Sequence, residues 1–385
     1  MPSRRVPKIA IVHDWLTTMG GAEPLVLEIH KLFPKAPMYT SVFDADKMTA
    51  FKGIDVRTTD LQTKLPKKLR FKHILWPTLR AKAFRQLDLS EFDIIISSSS
   101  AEAKAIRKTR PGQVHIAYIH TPPRYYWSHY EEFKNEFTFG PFTPFIRPVI
   151  PYFVKKMRQL DLESTKDIDV FIANSTVTQQ RIKEYYNKPS TVIYPPVNVD
   201  RFTPPPKGER SGYVVWGRHV PYKRFDLAIK AANKLGAQLT IAGTGPDTER
   251  LKSLAGPTVT FVGRISDEEL VKLAQSSKAF LFPNEEDFGI SAVEALAAGT
   301  PVIAYKKGGA LDIVQDGETG IFFEKQTVES LVKAIRKFEQ QTTEDPRAFL
   351  PATLHRKAKR FDKSLFANKI LKVVGDYIDE VVQPT

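Results

Sequence analysis

The stretch Phe282-Pro283-Asn284-Glu285-Glu286-Asp287-Phe288-Gly289-Ile290-Ser291-Ala292-Val293-Glu294-Ala295-Leu296-Ala297-Ala298-Gly299-Thr300-Pro301 decides how this chain folds. An apolar run beginning at Lys278 enters it and has the length of a buried strand. Polar residues then leave that strand at its C-terminal end. Gly289 lets the backbone turn, and Ile290 to Ala298 reads as a short Ala-rich helix, stopped by Gly299 and Pro301. The free N–H groups and positive dipole end near Gly289 and Ile290 therefore point at the strand's carboxyl edge. An open α/β sheet binds ligands at that edge, and a helix start there suits a phosphate. Glu286 stands in the loop and Glu294 within the helix. Two carboxylates thus flank an anion site without filling it. Such a site fits a ligand with hydroxyls on either side of a phosphate group, as in a nucleotide sugar.

Strand–helix units repeat around this stretch. Strands are expected at Tyr213 to Trp216, Gln238 to Ala242, Thr258 to Val262, Pro301 to Ala304 and Gly320 to Phe323, with helices between them. That alternation describes a doubly wound parallel sheet. After Trp216 comes Gly217-Arg218-His219-Val220-Pro221-Tyr222-Lys223-Arg224-Phe225-Asp226, then a helix from Leu227 to Leu235. Arg218 and Lys223 share a strand-to-helix loop, so both can converge on an anion. Arg offers a planar fork and Lys a point charge, so neither replaces the other cleanly. Further strand-end turns are Gly243-Thr244-Gly245-Pro246, Val262-Gly263-Arg264-Ile265-Ser266 and Gly308-Gly309-Ala310. Thr327 to Gln340 is amphipathic, and Leu365 to Val381 reads as a last helix.

The N-terminal half has the same character. A strand from Lys8 to His13 is followed by a loop ending in Gly20-Gly21 and by a helix carrying Leu25, Leu27, Ile29 and Leu32. This is a phosphate-approach unit, although the Gly-x-Gly-x-x-Gly dinucleotide fingerprint is absent. More strands are expected at Met38 to Phe43, Asp55 to Thr58, Asp93 to Ser97, Val114 to His120 and Asp169 to Asn174, and helices at Phe145 to Glu163 and Gln179 to Tyr186. His120 falls at a carboxyl strand edge, a position that favours function over packing. Asp44-Ala45-Asp46 and Asp167-Ile168-Asp169 fit a short Asp-x-Asp metal pattern, but neither copy has further ligand candidates close by in sequence. No metal is expected. Pro204-Pro205-Pro206-Lys207-Gly208-Glu209 has the composition of a linker.

Composition bounds the rest. With 385 residues, 42% of them hydrophobic, two domains are expected. The absence of cysteine excludes disulfides and thiolate metal sites. No run of about 18 apolar residues is present for a spanning helix, and Ile9 to Val12 is too short for a secretory signal. A cytoplasmic location is expected. The net charge of +14 favours an anionic partner. Lys64 to Arg85 mixes basic residues with Phe71, Trp76 and Phe84, and Pro141 to Tyr152 is rich in Phe, Ile and Pro. Both suit an anionic membrane surface on the inner face of the cell membrane. No nucleic-acid motif accompanies the charge, so no nucleic acid is expected as a partner.

The Glu286-to-Glu294 stretch, with its Phe-Gly, Glu-Ala and Gly-Thr-Pro steps, resembles the Glu-x7-Glu motif of the retaining glycosyltransferase family GT4. The His-Thr-Pro step at His120 and the aromatic run after it look most like a bacterial subgroup of GDP-mannose-dependent mannosyltransferases. The resemblance covers nearly the whole chain, most strongly Gly217 to Gly320. It implies the GT-B architecture: two doubly wound, Rossmann-like α/β domains facing across a cleft, with hinge closure between them. Residues 1–203 would bind acceptor, 204–364 would bind the nucleotide sugar, and 365–385 would return to the first domain. It further implies that Arg218 and Lys223 neutralise the donor diphosphate, helped by Phe288, Gly289 and Ile290 at the helix start. Glu286 would hold sugar hydroxyls and Glu294 the ribose. Gly263 and Arg264 would meet the base, and His120 with Gly20 and Gly21 would close the sugar's other side. The implied donor is a nucleotide sugar, GDP-mannose first, with no cofactor. The implied acceptor is a glycan or lipid-linked saccharide, as in polysaccharide biosynthesis. A UDP-sugar donor, an epimerase or phosphorylase on the same fold, a sugar-nucleotide binding protein without transferase activity, and a charge-driven RNA- or membrane-binding scaffold are the alternatives.

Overall fold

Apolar, β-branched runs in both halves form parallel strands, as expected of sheets covered on both faces. The structure is a computed structural model and describes residues 6–71, 76–128, 130, 131, 134, 147–204 and 210–381. Its contacts divide the chain into two units, Met1–Tyr194 with Ala367–Thr385, and Pro195–Phe366.

The first unit contains β1 (Ile9–His13), β2 (Met38–Thr40), β3 (Val56–Thr58), β4 (Ile94–Ser99), β5 (Val114–Ile119), β6 (Val170–Ala173) and β7 (Thr191–Val192). They make one sheet in the order β3-β2-β1-β4-β5-β6-β7, and every pair is parallel. Strand order reverses between β1 and β4. One face packs Val12, Ile95, Phe84, Leu89 and Phe92 together, and Ala117, Ile119, Phe171 and Ile182 form a second cluster. The two-residue β7 carries too little pattern to be legible in the sequence.

The second unit contains β8 (Tyr213–Trp216), β9 (Leu239–Ala242), β10 (Val259–Gly263), β11 (Ala279–Phe282), β12 (Val302–Tyr305) and β13 (Gly320–Phe323). Their order is β10-β9-β8-β11-β12-β13, again wholly parallel. Here the reversal lies between β8 and β11. Both units are therefore doubly wound, and each has its own topological switch point.

The contact boundary falls at Tyr194–Pro195 rather than at 203–204. Backbone pairing explains the difference. The Val197 N–H donates to the Phe361 carbonyl at 3.1 Å, and Lys363 donates to the Val197 carbonyl at 2.9 Å. Residues 195–202 are thereby stitched into the second unit, ahead of the Pro-rich segment, of which 205–209 lie outside the described residues. The last helix, Lys363–Val381, starts in the second unit and belongs to the first from Ala367 onward. The helix expected from Phe145 runs over Ile150–Glu163.

The basic segment Lys64 to Arg85 is less available than its composition suggests. Arg80 is buried, donates to Glu102 at 2.8 Å and lies over the Trp15 ring. Arg85 reaches the Leu160 carbonyl and Glu163, and Lys64 pairs with Asp60. A membrane surface would be met by the remaining residues, such as exposed Lys82. Residues 72–75 and 141–146 of the two candidate segments lie outside the described residues. Among the described residues, no helix is long and apolar enough to cross a membrane.

Burial of the Arg80–Glu102 pair sets a test. Glu102→Ala strands a guanidinium away from water and is expected to cost about 3–5 kcal/mol, read from urea unfolding. Lys82→Ala, on the exposed side of the same helix, should leave the curve within about 0.5 kcal/mol of the parent.

Candidate functional site

At the switch point of the second unit, the residues that follow β8 and β11 come together. Beyond β8 the chain passes Gly217 and Arg218 and makes a 3-10 turn, Pro221–Lys223, before the helix Phe225–Leu235. Beyond β11 it passes Asn284 to Phe288 and enters the helix Ile290–Ala297. Lys223 Nζ donates to Glu286 Oε1, forming a half-buried ion pair across the two loops. The buried Asn284 amide donates to the same carboxylate oxygen at 2.7 Å. Glu286 is also held by its backbone, since its carbonyl accepts from the Gly309 N–H at 2.8 Å. Two donors thus hold the carboxylate, and a third bond holds the residue's backbone. Arg218, exposed at the end of β8, has no hydrogen-bond or ion-pair partner among the described residues.

Gly289 makes this loop possible. Its φ is +111°, and a Cβ there would stand 2.7 Å from the buried Phe282 ring. Only glycine can turn the chain there and bring helix N–H groups to the strand edge. Gly309 answers a second constraint, because a Cβ on it would strike the Phe288 carbonyl.

Glu294 sits one turn into that helix and accepts from the Trp216 indole N–H at 3.2 Å. Withdrawal from water pushes its carboxyl up to about 7, against the Trp216 bond, which pulls the other way. The group thus titrates near neutrality. Phe288 is buried, and its ring meets Phe361 edge-on at 5.6 Å. The Phe288 ring packs the loop, so its backbone is what Phe288 presents to a ligand. Ile290 opens the helix. Gly263 ends β10 at the sheet's edge, with β9 between it and β8. Its carbonyl accepts from the Gly243 N–H at 2.6 Å, and Arg264 beyond it is exposed. Gly263 and Arg264 share the carboxyl edge of the sheet with the Lys223–Glu286 pair but are not brought against it.

In the first unit, the reversal between β1 and β4 gathers a different set. Gly20 and Gly21 are exposed and precede the helix Ala22–Leu32. The Gly20 N–H donates to Glu23 Oε2 at 2.8 Å. Burial would raise the Glu23 carboxyl, but His13 and the Gly20 N–H hold it below the ordinary range. His120, just past β5, lies 2.8 Å from Ser98 Oγ through Nε2. Asp14 follows β1 and accepts from the N–H groups of Ser100 (2.6 Å), Ala101 (3.0 Å) and Ala103 (2.7 Å). Burial opposes its charge, yet His13 and those N–H groups keep its carboxyl low. Asp14 therefore ties down the loop after β4. Both Asp-x-Asp copies have structural partners: Asp169 accepts from Lys108 and the His115 N–H, and Asp44 pairs with Lys47.

Sequence reasoning missed His13, Glu23, Ser98 and Asn284. Asn284 lay inside the quoted motif. His13 and Ser98 are placed by strand register and Glu23 by the helix after the glycine loop, and no local signal announces either.

Known proteins resemble both halves. A family model described as Glycosyltransferase Family 4 matches residues 19–201, and one described as Glycosyl transferases group 1 matches 198–353. A GDP-mannose-dependent alpha-(1-6)-phosphatidylinositol monomannoside mannosyltransferase of Mycobacterium tuberculosis is 32% identical over 198 residues, covering 43% of this chain and 51% of that protein. A D-inositol 3-phosphate glycosyltransferase of Mycolicibacterium smegmatis is 33% identical, covering 40% and 41%. The chain thus spans about half the length of the curated relatives it matches. Among solved structures, Anabaena HepE in complex with UDP superposes with a TM-score of 0.71 at 17% identity, covering 95% of this chain and 100% of that one. Sucrose-phosphate synthase from Thermosynechococcus elongatus gives 0.70 at 18%, covering 97% and 100%. These likenesses establish the fold, which is GT-B.

The Trp216–Glu294 bond carries its own prediction. Trp216→Phe removes the donor that favours the charged carboxylate, so the Glu294 titration midpoint should move above about 7. A carboxyl 13C titration of labelled protein reads it, and an unmoved or lowered midpoint contradicts the assignment.

Proposed function

We propose that this chain, which belongs to glycosyltransferase family 4, transfers a hexose from a nucleotide sugar to a hydroxyl of a glycan or lipid-linked saccharide. The donor is GDP-mannose. One observation carries the reading: the Lys223–Glu286 ion pair and the unpaired Arg218 fork lie at the switch point of the second unit, beside a helix start. Several relatives are named as GDP-mannose-dependent mannosyltransferases, which supports the donor.

The ion pair suggests how the site changes on loading. A donor diphosphate offers Lys223 a more highly charged partner than Glu286. Once Lys223 turns to it, Glu286 remains held by Asn284 and can accept from sugar hydroxyls. Arg218 adds a planar fork to the leaving phosphate, and the N–H groups at Ile290 add partial positive charge. Glu294, when ionised, accepts from the ribose hydroxyls, and Gly263 and Arg264 meet the base. The first unit supplies the acceptor, and its Gly20-Gly21 loop and His120 contact the sugar. In the reaction the anomeric C–O bond to phosphate breaks and the acceptor oxygen bonds on the same face. The acceptor's hydroxyl proton passes to the departing phosphate oxygen. No metal or cofactor enters this scheme. The protein contributes position and electrostatic preorganisation.

A UDP-sugar donor is the second reading, favoured by the UDP bound in the HepE structure. Thermal shift against GDP- and UDP-sugars separates the two, and stabilisation by neither contradicts both. A lipid-linked acceptor would place the protein at an anionic membrane surface, so binding to anionic but not neutral vesicles is expected.

Two further outcomes follow from the charges. Arg218→Ala or Lys223→Ala should cost about 3–4 kcal/mol of transition-state stabilisation, a hundredfold or more in turnover. An unchanged rate in the double variant rules the assignment out. Nucleotide binding should also depend on pH through Glu294. Its carboxylate is the form that accepts from ribose, and its midpoint lies at about 7. Affinity should therefore rise roughly tenfold per pH unit below that midpoint and level off above it. Calorimetry between pH 5.5 and 8.5 measures this (about three units on the scale of the titration), and Glu294→Gln should flatten the profile.

A further inference from the structure

Between the glycine loop and His120, the first unit contains a continuous run of polar side chains. Gly20 N–H donates to Glu23 Oε2 at 2.8 Å. The other carboxylate oxygen of Glu23 stands 3.8 Å from His13 Nε2. His13 Nδ1 lies 3.2 Å from Ser98 Oγ, and Ser98 Oγ lies 2.8 Å from His120 Nε2. Glu23, His13 and Ser98 are all buried, whereas the Gly20 end is exposed and the His120 end half-buried.

Register explains the alignment. His13 and Ser98 are paired positions on adjacent parallel strands, as are Ser98 and Tyr118. His120 follows Tyr118 by two residues, so all these side chains share one face of the sheet. Ser97, on the opposite face, bonds a different imidazole, His115, at 2.8 Å. The two adjacent serines therefore serve separate histidines.

We infer that Glu23, His13 and Ser98 are positioning residues for His120, forming a relay that fixes its ring tautomer and ties it to the Gly20-Gly21 loop. Proton count couples the two rings. A serine hydroxyl has a single proton, so Oγ donates to one imidazole and accepts from the other. If Ser98 donates to His13, His120 must hold its proton on Nε2. If Ser98 donates to His120, that proton must sit on Nδ1. The two rings cannot choose independently. Glu23 decides between them, because its carboxylate faces His13 Nε2 and favours a proton there. Asp14, the other carboxylate next to His13, already accepts three backbone N–H groups and stays with the loop after β4. The same Glu23 side chain accepts from Gly20, so displacement of the glycine loop changes the field at His13. Gly20 itself fits this contact closely: a Cβ there would lie 3.0 Å from Glu23 Oε2.

The consequence for sugar transfer rests on the function proposed above, but the relay does not, and the experiment separates them. Protein with 15N-labelled imidazoles gives the tautomer of His120 directly, its signals being identified by their loss in His120→Gln. A single tautomer is expected in the parent and a mixture in Ser98→Ala. Glu23→Gln keeps an oxygen for Gly20 and removes only the charge facing His13, and it too should alter the ratio. Unchanged His120 signals in both variants, with melting temperatures as in the parent, overturn the relay whether or not the chain transfers sugar. In transferase assays, Ser98→Ala should lower kcat about tenfold with donor KM unchanged, the scale of one net hydrogen bond. Added to His120→Ala it should cost nothing more. Fully additive losses would show that Ser98 acts separately from His120 and would overturn the relay as well.

Discussion

The central residues of both candidate sites are gathered where the strand order of a parallel sheet reverses. Crossovers between parallel strands are right-handed. Before the reversal they lay helices on one face of the sheet, and after it on the other. The loops leaving the two strands at the reversal therefore diverge and expose their carboxyl ends. In the first unit these strands are β1 and β4, and they deliver His13, Asp14 and Ser98. In the second they are β8 and β11, and they deliver Arg218, Lys223 and Glu286. A ligand site needs no further device to open there.

The two units use that opening differently. The loop after β4 is closed upon itself: Asp14 collects three backbone N–H groups that would otherwise lie buried and unsatisfied. The neighbouring His120 is tied to the end of β4 instead, its N–H donating to the Ser99 carbonyl at 2.9 Å. The loop after β11 is held by a longer-range set, with Asn284, Lys223 and Gly309 all fixing Glu286. Of those three, only Lys223 is a charged partner. Asn284 and Gly309 hold Glu286 through its carboxylate and its backbone independently of the ion pair.

Legibility in the sequence followed the range of the interactions. The strand–turn–helix at Phe282–Ala297 was readable because every instruction in it is local: an apolar run, a glycine with positive φ, an Ala-rich helix and its stop. The parallel, doubly wound class followed from repetition of the same pattern. His120 was readable by its position at a strand end. Its partner Ser98 was not, since a serine inside Ile94–Ser99 looks like any other strand residue until register sets it opposite His13. The Trp216–Glu294 bond was hidden for the same reason, as it joins two elements 78 residues apart in the chain. The boundary at Tyr194 was missed because proline content marks where a chain is stiff, whereas pairing of Val197 with Phe361 and Lys363 marks where it belongs.

Charge was the property read least well, and the physical reason is instructive. Composition counts a cation wherever it lies, but only a cation exposed to solvent acts on a partner. Arg80 and Lys104 in the first unit are buried against Glu102 and Asp161. Their fields are quenched at close range by a counter-charge in a poorly screening interior. Each such pair sums to zero within the formal +14, so it marks where positive residues are without adding to the excess that acts on a partner. Arg218 is the opposite case, an exposed guanidinium with no ion-pair partner among the described residues. A basic segment in sequence therefore indicates an anionic partner only after its internal pairs have been subtracted. What remains in the Lys64 to Arg85 segment is a smaller set than the one that suggested a membrane, and the same subtraction in the 218–223 loop leaves Arg218, since Lys223 is paired with Glu286.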